Sequence, residues 1–175
     1  VHLRVVSSIS ELGNPDCIVL PGSKNVIDDL IQLKQSGLFH AILTQKERGC
    51  EIVGICGGYQ MLGKAVSDPG GIESSKQIIS GLYLLDIHTT FFNDKTLVRK
   101  QGVHLESGLT IHGYEIHHGQ SQSVNGPLLS FYDDSFCGTA SENGLIWGAY
   151  LHGIFDADPF RRWFINRLRT RKRLE

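Results

Sequence analysis

Two short apolar runs, Cys17-Ile18-Val19-Leu20 and Ile52-Val53-Gly54-Ile55, bracket a stretch with helical periodicity, and each closes in a glycine-bearing turn. Runs this short that do not alternate with polar residues predict buried strands, as in a parallel sheet. Between them Val26, Ile27, Leu30, Ile31 and Leu33 recur at spacings of three and four up to Gly37, and Leu38 to Lys46 forms a second helical segment. Strand, helix, strand demands a crossover connection, so the chain reads as an open α/β sheet. Leu3 to Val6 predicts a further strand, Tyr59 to Val66 a helix, and Gly144 to Leu151 a late strand. From Gly81 to Gly126, short segments lie between Gly, Asn and Asp turn signals, which predicts extra strands, several of them antiparallel. A last helix starts with Asp158 as N-cap and Pro159 behind it, and its apolar face is Phe160, Trp163, Phe164 and Leu168. The basic residues at its end, Arg167 to Arg173, complement the helix C-terminus and keep it solvated. No internal repeat or linker interrupts the 175 residues, so one domain is expected.

The formal net charge of −1, with acids and bases interspersed, argues against nucleic acid or a membrane surface as partner, since both draw a basic excess. No apolar run approaches the roughly 18 residues that span a bilayer, and no charged-then-apolar leader is visible. A cytoplasmic location is expected. Cys17, Cys50, Cys56 and Cys137 form no CxxC pair, which predicts reduced cysteines rather than a zinc ribbon, redox dithiol or disulfide framework. His112, His117 and His118 lack the spacing of a known ligand set, so no metal is expected. The chain opens at Val1 and its one methionine is Met61, which reads as a piece of a longer protein.

Gly54-Ile55-Cys56-Gly57-Gly58 sets a cysteine between strand and helix, with glycine two residues before and two after. A nucleophile at the tip of such a turn has a strained backbone with chain close on either side, which favours glycine at both flanks. Helix amides pointing at the sulfur predict a thiolate. On this pattern alone, a small buried residue in a tight turn stays an open reading. Tyr150-Leu151-His152-Gly153 then places a histidine at the exit of the late strand, above the carboxyl edge where open α/β sheets bind ligands. Cys56 and His152 meeting there form a nucleophile–base pair. Leu20-Pro21-Gly22-Ser23-Lys24 is another strand end, and backbone N–H groups of Gly22, Ser23 and Gly57 are candidates to hold an oxyanion. It lacks the G-x-x-x-x-G-K-S/T spacing of a phosphate loop, so no ATP site is expected on this chain.

Four ordered segments, Leu20 to Asn25, Gly54 to Gly63, Gly113 to Gly119 and Tyr150 to Asp156, together resemble the class I glutamine amidotransferase superfamily, within it the cobyric and cobyrinic acid synthase type. The resemblance covers essentially the whole chain. It implies a flavodoxin-like open sheet, mostly parallel and flanked by helices, with antiparallel strands in the middle-to-late region. It implies that residues 1–175 are a glutaminase domain, a C-terminal piece of a longer enzyme. Cys56 would attack the glutamine carboxamide to give a thioester, with His152 as base. The ammonia would pass to an ATP- and Mg-dependent synthetase domain elsewhere in the enzyme, which amidates corrin carboxylates. No cofactor is implied on this chain. By the same resemblance Gln60, His117, His118 and Gly119 are candidates to position glutamine, while a structural role in a polar loop stays open for the two histidines.

Many members of the superfamily follow the histidine with Pro-Glu, whose carboxylate orients the imidazole. Here Gly153 and Ile154 stand in those places. Asp156, a carboxylate of a partner domain, or a plain dyad are the readings left open. Other acceptors (cobyrinic acid a,c-amidation, a cell-wall precursor), a cysteine hydrolase or redox-responsive protein, and a module that lost its chemistry are the alternatives; the presence of Cys56 and His152 together speaks against the last.

Overall fold

A computed structural model describes residues 1–173. In chain order the elements are α1 (Ile9–Leu12), β1 (Cys17–Leu20), α2 (Val26–Gln35), α3 (Leu38–Glu47), β2 (Glu51–Ile55), α4 (Gly57–Met61), β3 (Ala65–Ser67) and β4 (Ile78–Ser80). There follow β5 (Ile87–His104), β6 (Leu109–Ser123), β7 (Leu129–Phe131), β8 (Phe136–Cys137), β9 (Thr139–Ala140), β10 (Ile146–Ala149), a 3-10 turn (Ile154–Asp156) and α5 (Asp158–Arg171). No helix among the described residues is long and apolar enough to cross a membrane.

The main sheet has the order β1-β2-β10-β9, parallel except for β9 at its edge. Side chains alternate across a strand, and this divides β2 and β10 between two helical layers. Glu51, Val53 and Trp147 face α5, where Trp147 packs edge-on to Phe160 and Phe164. Gly54 and Gly148 face α4 and lie against Tyr59. This is the flavodoxin-like α/β layering, and it covers both faces of β2, which is why Glu51–Ile55 carries no solvent-facing alternation. Glu51 tolerates full burial because its carboxylate accepts from Trp147 Nε1 at 2.7 Å, from Arg171 at 2.6 Å and from Arg167. α2 begins at an Asn25 cap whose side chain accepts the Asp28 amide, and buries Val26, Ile27 and Leu30.

A second sheet is built around a long hairpin in which β5 and β6 pair from Ile87↔Ser123 to His104↔Leu109. β3 joins β5 in parallel, and β4, β7 and β8 add antiparallel pairs. Two long strands thus replace the several short ones expected between Gly81 and Gly126. Asn93 and Asp94 lie where the register shifts between Phe91 and Thr96, a bulge rather than a turn. The glycines inside the strands mark close approaches: a Cβ at Gly102 would lie 2.1 Å from the Ser130 carbonyl oxygen.

Three other expectations need correction. Residues 1–6 form no strand; no described strand lies beside them, and Val1, Leu3 and Val5 are exposed. The helix expected over Tyr59 to Val66 ends at Met61, because Ala65–Ser67 is drawn into the second sheet between β4 and β5. Asp158 is inside the first turn of α5, with Ala157 at the cap position.

Candidate active site

β1, β2 and β10 are parallel and in register, Gly54 pairing with Leu20 on one side and Gly148 on the other. Their carboxyl ends therefore open on one edge and deliver three segments there: the Gly22–Ser23 turn, Cys56, and Tyr150 to Gly153. Cys56 leaves β2 at φ 51° and ψ −109°, a left-handed conformation that non-glycine residues rarely hold. Its N–H donates to the Ala149 carbonyl at 2.8 Å, and its carbonyl accepts from Gln60 N at 3.1 Å. The flanking glycines are steric requirements. A Cβ at Gly54 would lie 2.6 Å from the Tyr59 backbone, and one at Gly58 2.0 Å from the Leu20 carbonyl oxygen.

His152 is held by β6. Its N–H donates to the Tyr114 carbonyl at 2.8 Å and its carbonyl accepts from Tyr114 N at 3.1 Å, an isolated antiparallel bridge. The imidazole stacks on the Tyr114 ring with centroids 5.0 Å apart and planes 8° from parallel. Gly22 lies so near that a Cβ there would be 2.6 Å from His152 Cε1. The same strand also meets the nucleophile, for Cys56 Sγ donates to the Ile116 carbonyl at 3.4 Å. Tyr114 and Ile116, two residues apart on β6, thus tie His152 and Cys56 to one strand.

Burial sets both protonation states. Desolvation lowers the pKa of His152, favouring the neutral ring, and Nε2 is buried with no hydrogen-bond partner. Cys56 is pushed up to about 11 by burial first; the Gly57 N–H pulls it down, while the carboxylates of Glu73 and Glu115 raise it. Burial thus opposes the thiolate expected from the helix amides. α4 is only five residues long, and the field of so short a helix is outweighed by desolvation. Both shifts favour the uncharged forms, thiol and neutral imidazole.

Of the residues whose amides are expected at an oxyanion site, Ser23 and Gly57 are in close contact, and Gly22 lies against the histidine. A Cβ at Gly57 would be 2.8 Å from both Ser23 N and Ser23 Cβ, and Gly22 abuts His152. The Ser23 hydroxyl is turned away, donating to Asp29 at 2.5 Å, so only backbone is offered. Asp156 makes no hydrogen bond or ion pair with His152; its carboxylate lies beside Gly153, 3.1 Å from where a Cβ would stand.

Of the residues expected to position glutamine, Gln60 is 2% exposed. Its Nε2 donates to Tyr150 Oη at 3.3 Å and lies 2.3 Å from where a Gly119 Cβ would be. Gln60 and Gly119 thus form a packed wall rather than an open face. His117 donates from Nδ1 to the Gly119 carbonyl at 2.7 Å and stacks on Tyr150 at 3.8 Å. Burial lowers its pKa, so it is a neutral imidazole. His118 turns the other way, its Nδ1 on the Phe92 carbonyl at 3.2 Å. Behind them a cavity of about 590 Å³ is lined by Tyr59, Glu115, His117, Ser121, Cys137 and Tyr150, among others. Cys137, expected in a polar turn, is buried in β8, where its Sγ accepts the Tyr150 N–H at 3.2 Å. No three His, Cys, Asp or Glu side chains among the described residues are grouped to hold a metal ion.

Tyr114, Tyr150, Ser121 and Glu73 were not singled out from sequence. The two tyrosines lie within the segments Gly113 to Gly119 and Tyr150 to Asp156, which is the signal the sequence offers for them; Glu73 comes from a loop folded by three amides on Asp68.

Residues 1–160 match the family described as CobB/CobQ-like glutamine amidotransferase domain. The bifunctional adenosylcobalamin biosynthesis protein CobDQ of Leptospira interrogans is 43% identical over 98% of this chain, which spans 20% of that protein. The cobyric acid synthase of Synechococcus elongatus is 42% identical over the whole chain, which spans 36% of the synthase. Among solved structures, one described as a glutamine amidotransferase superposes with a TM-score of 0.71 at 16% identity, covering 96% of this chain and 86% of its own. That likeness concerns the fold.

Proposed function

The chain belongs to the CobB/CobQ-like glutamine amidotransferase domain family, and from that membership we propose that Cys56 and His152 hydrolyse the side-chain amide of glutamine to supply ammonia. The observation that carries this reading is the strained Cys56 at the sheet's carboxyl edge, tied through one strand to an imidazole with an unpartnered nitrogen.

The neutral resting pair dictates the order of events. The Cys56 proton passes to His152 as sulfur attacks the carboxamide carbon, because a free thiolate is scarce when the thiol titrates at about 11. The carbonyl oxygen would gain charge beside the amides of Gly57 and of Gly22 or Ser23, and fixed donors there would stabilise it without reorganising. Collapse returns the proton from His152 to the leaving nitrogen, releasing ammonia and a γ-glutamyl thioester. A water, deprotonated by His152, attacks the thioester and frees glutamate and the Cys56 thiol.

The ammonia acceptor lies outside this chain. Given the names and the much greater length of its relatives, the reading is that residues 1–175 are the glutaminase part of a longer enzyme. A synthetase part, using ATP and Mg, would activate corrin carboxylates and capture the ammonia, converting cobyrinic acid a,c-diamide to cobyric acid.

The test is covalent labelling of the full-length protein by 6-diazo-5-oxo-L-norleucine, mapped by peptide mass spectrometry. Modification confined to Cys56 and blocked by glutamine is expected. Cys56→Ala should abolish glutamine use yet leave amide synthesis from free ammonia intact. An unlabelled Cys56 in folded protein would refute the glutaminase reading and bring a cysteine hydrolase of other specificity forward.

A further inference from the structure

We propose that Tyr114 is a positioning residue for His152, its ring taking the place of the orienting carboxylate. The inference rests on the Cys56–His152 reading above and deepens it.

A base in a cysteine–histidine site needs its imidazole held in one plane, and it needs the charge of the protonated ring offset. No acid among the described residues supplies either. Asp156 makes no bond to the ring, neither ring nitrogen of His152 hydrogen-bonds to a described residue, and burial alone shifts its pKa. What the ring does have is Tyr114. The planes are 8° apart at 5.0 Å, and the two residues also exchange both backbone hydrogen bonds. Gly113 lets the strands come this close, since a Cβ there would lie 1.9 Å from the His152 carbonyl oxygen. From another direction the backbone at Gly22 abuts Cε1. The imidazole is therefore confined between an aromatic face and the Gly22 turn.

Stacking fixes the tilt of the ring, which a single hydrogen bond leaves looser. The electron-rich face of tyrosine also attracts the imidazolium formed when Cys56 gives up its proton. The phenol hydroxyl has no part in either effect. Tyr114 is 46% exposed, so burial of the ring is not what the stack achieves.

The experiment compares Tyr114→Leu, Tyr114→Phe and His152→Ala in the full-length protein, reading kcat and KM for glutamine with thermal melting alongside. Tyr114→Thr serves as a second ring-less variant that keeps the strand's β-branched preference. Loss of the ring is expected to lower kcat roughly 10- to 100-fold, the usual cost of a misplaced catalytic group, with KM within about twofold. Tyr114→Phe should recover most of that loss. Wild-type kcat in both ring-less variants overturns the proposal. So does an equal loss in Tyr114→Phe, which would assign the effect to the hydroxyl, and so does a loss that merely tracks a lowered melting temperature. Full glutaminase activity in His152→Ala would instead sink the Cys56–His152 reading itself, and the two failures are distinguishable.

Discussion

Gly22→Ala puts the tightest strain on the base while adding one carbon atom. The new Cβ would stand 2.6 Å from His152 Cε1, with Nδ1 at 3.5 Å and Nε2 at 3.6 Å. Ordinary contact begins at 3.4 Å, so the imidazole must retreat by roughly 1 Å. It cannot do so freely, because its backbone is bridged to Tyr114 and its ring is stacked there. A 1 Å misplacement of a catalytic group costs on the order of a hundredfold in rate, equivalent to about 2.7 kcal/mol in the barrier. The backbone at Gly22 is outside the left-handed region and accepts alanine without strain. The clash falls on a side chain, so the fold should survive, with a melting temperature within a few degrees of wild type. The assay is glutamate release from glutamine by the full-length protein, with Gly126→Ala as control, since nothing lies within 4 Å of a Cβ there. Activity within about twofold of wild type in a folded Gly22→Ala protein would refute the placement of His152 against this turn.

Other consequences can be checked separately. Alkylation of Cys56 by iodoacetamide should rise about tenfold per pH unit from pH 7 to 10 without a plateau; a raised thiol pKa leaves thiolate scarce at neutral pH and increasing up to about 11. A plateau near pH 7 would show a thiolate–imidazolium pair instead. Glu51→Ala should destabilise by about 3–5 kcal/mol, because Arg167, Arg171 and Trp147 Nε1 lose their shared acceptor. Urea unfolding reads that loss directly, and a change below about 1 kcal/mol would contradict it.

The strands and helices legible from sequence were those whose local signals agree with their surroundings. β1, β2, α2 and α5 show apolar runs or periodic faces, and each has a covered side to receive them. The hairpin was misread because glycine carries two meanings. Gly113 and Gly119 lie inside β6, where the backbone or a side chain of another element occupies the space of a Cβ, yet in sequence they look like turn residues. Leu3 to Val6 failed for the opposite reason: its apolar residues have strand-like chemistry but no described neighbour to pair with.

At the candidate site the crowding around the turn is legible in sequence and the electrostatics is not. Glycine at positions 54, 57 and 58 announces crowding around a tight turn: the following helix backbone crowds Gly54, and the neighbouring β1 end and Ser23 turn crowd Gly58 and Gly57. The ionisation of Cys56 depends on what covers it. Part of that cover comes from Ile116 on β6, while the charges of Glu73 and of Glu115, also on β6, raise the thiol further, all distant in sequence. The helix amides that argued for a thiolate are real, but α4 is only five residues long and the sulfur has lost its water. Desolvation acts oppositely on an acid and a base: it raises Cys56 and lowers His152, and both shifts keep the pair uncharged. A buried ion pair would need partners for its remaining lone pairs and protons, and no described residue bonds Nε2 of His152. On the proposed mechanism the charge would appear only during attack, when the amides near Gly57 would receive the oxyanion and the Tyr114 ring would face the imidazolium. A site of this kind leaves its thiol weakly reactive towards general electrophiles and uses its fixed dipoles on the transition state.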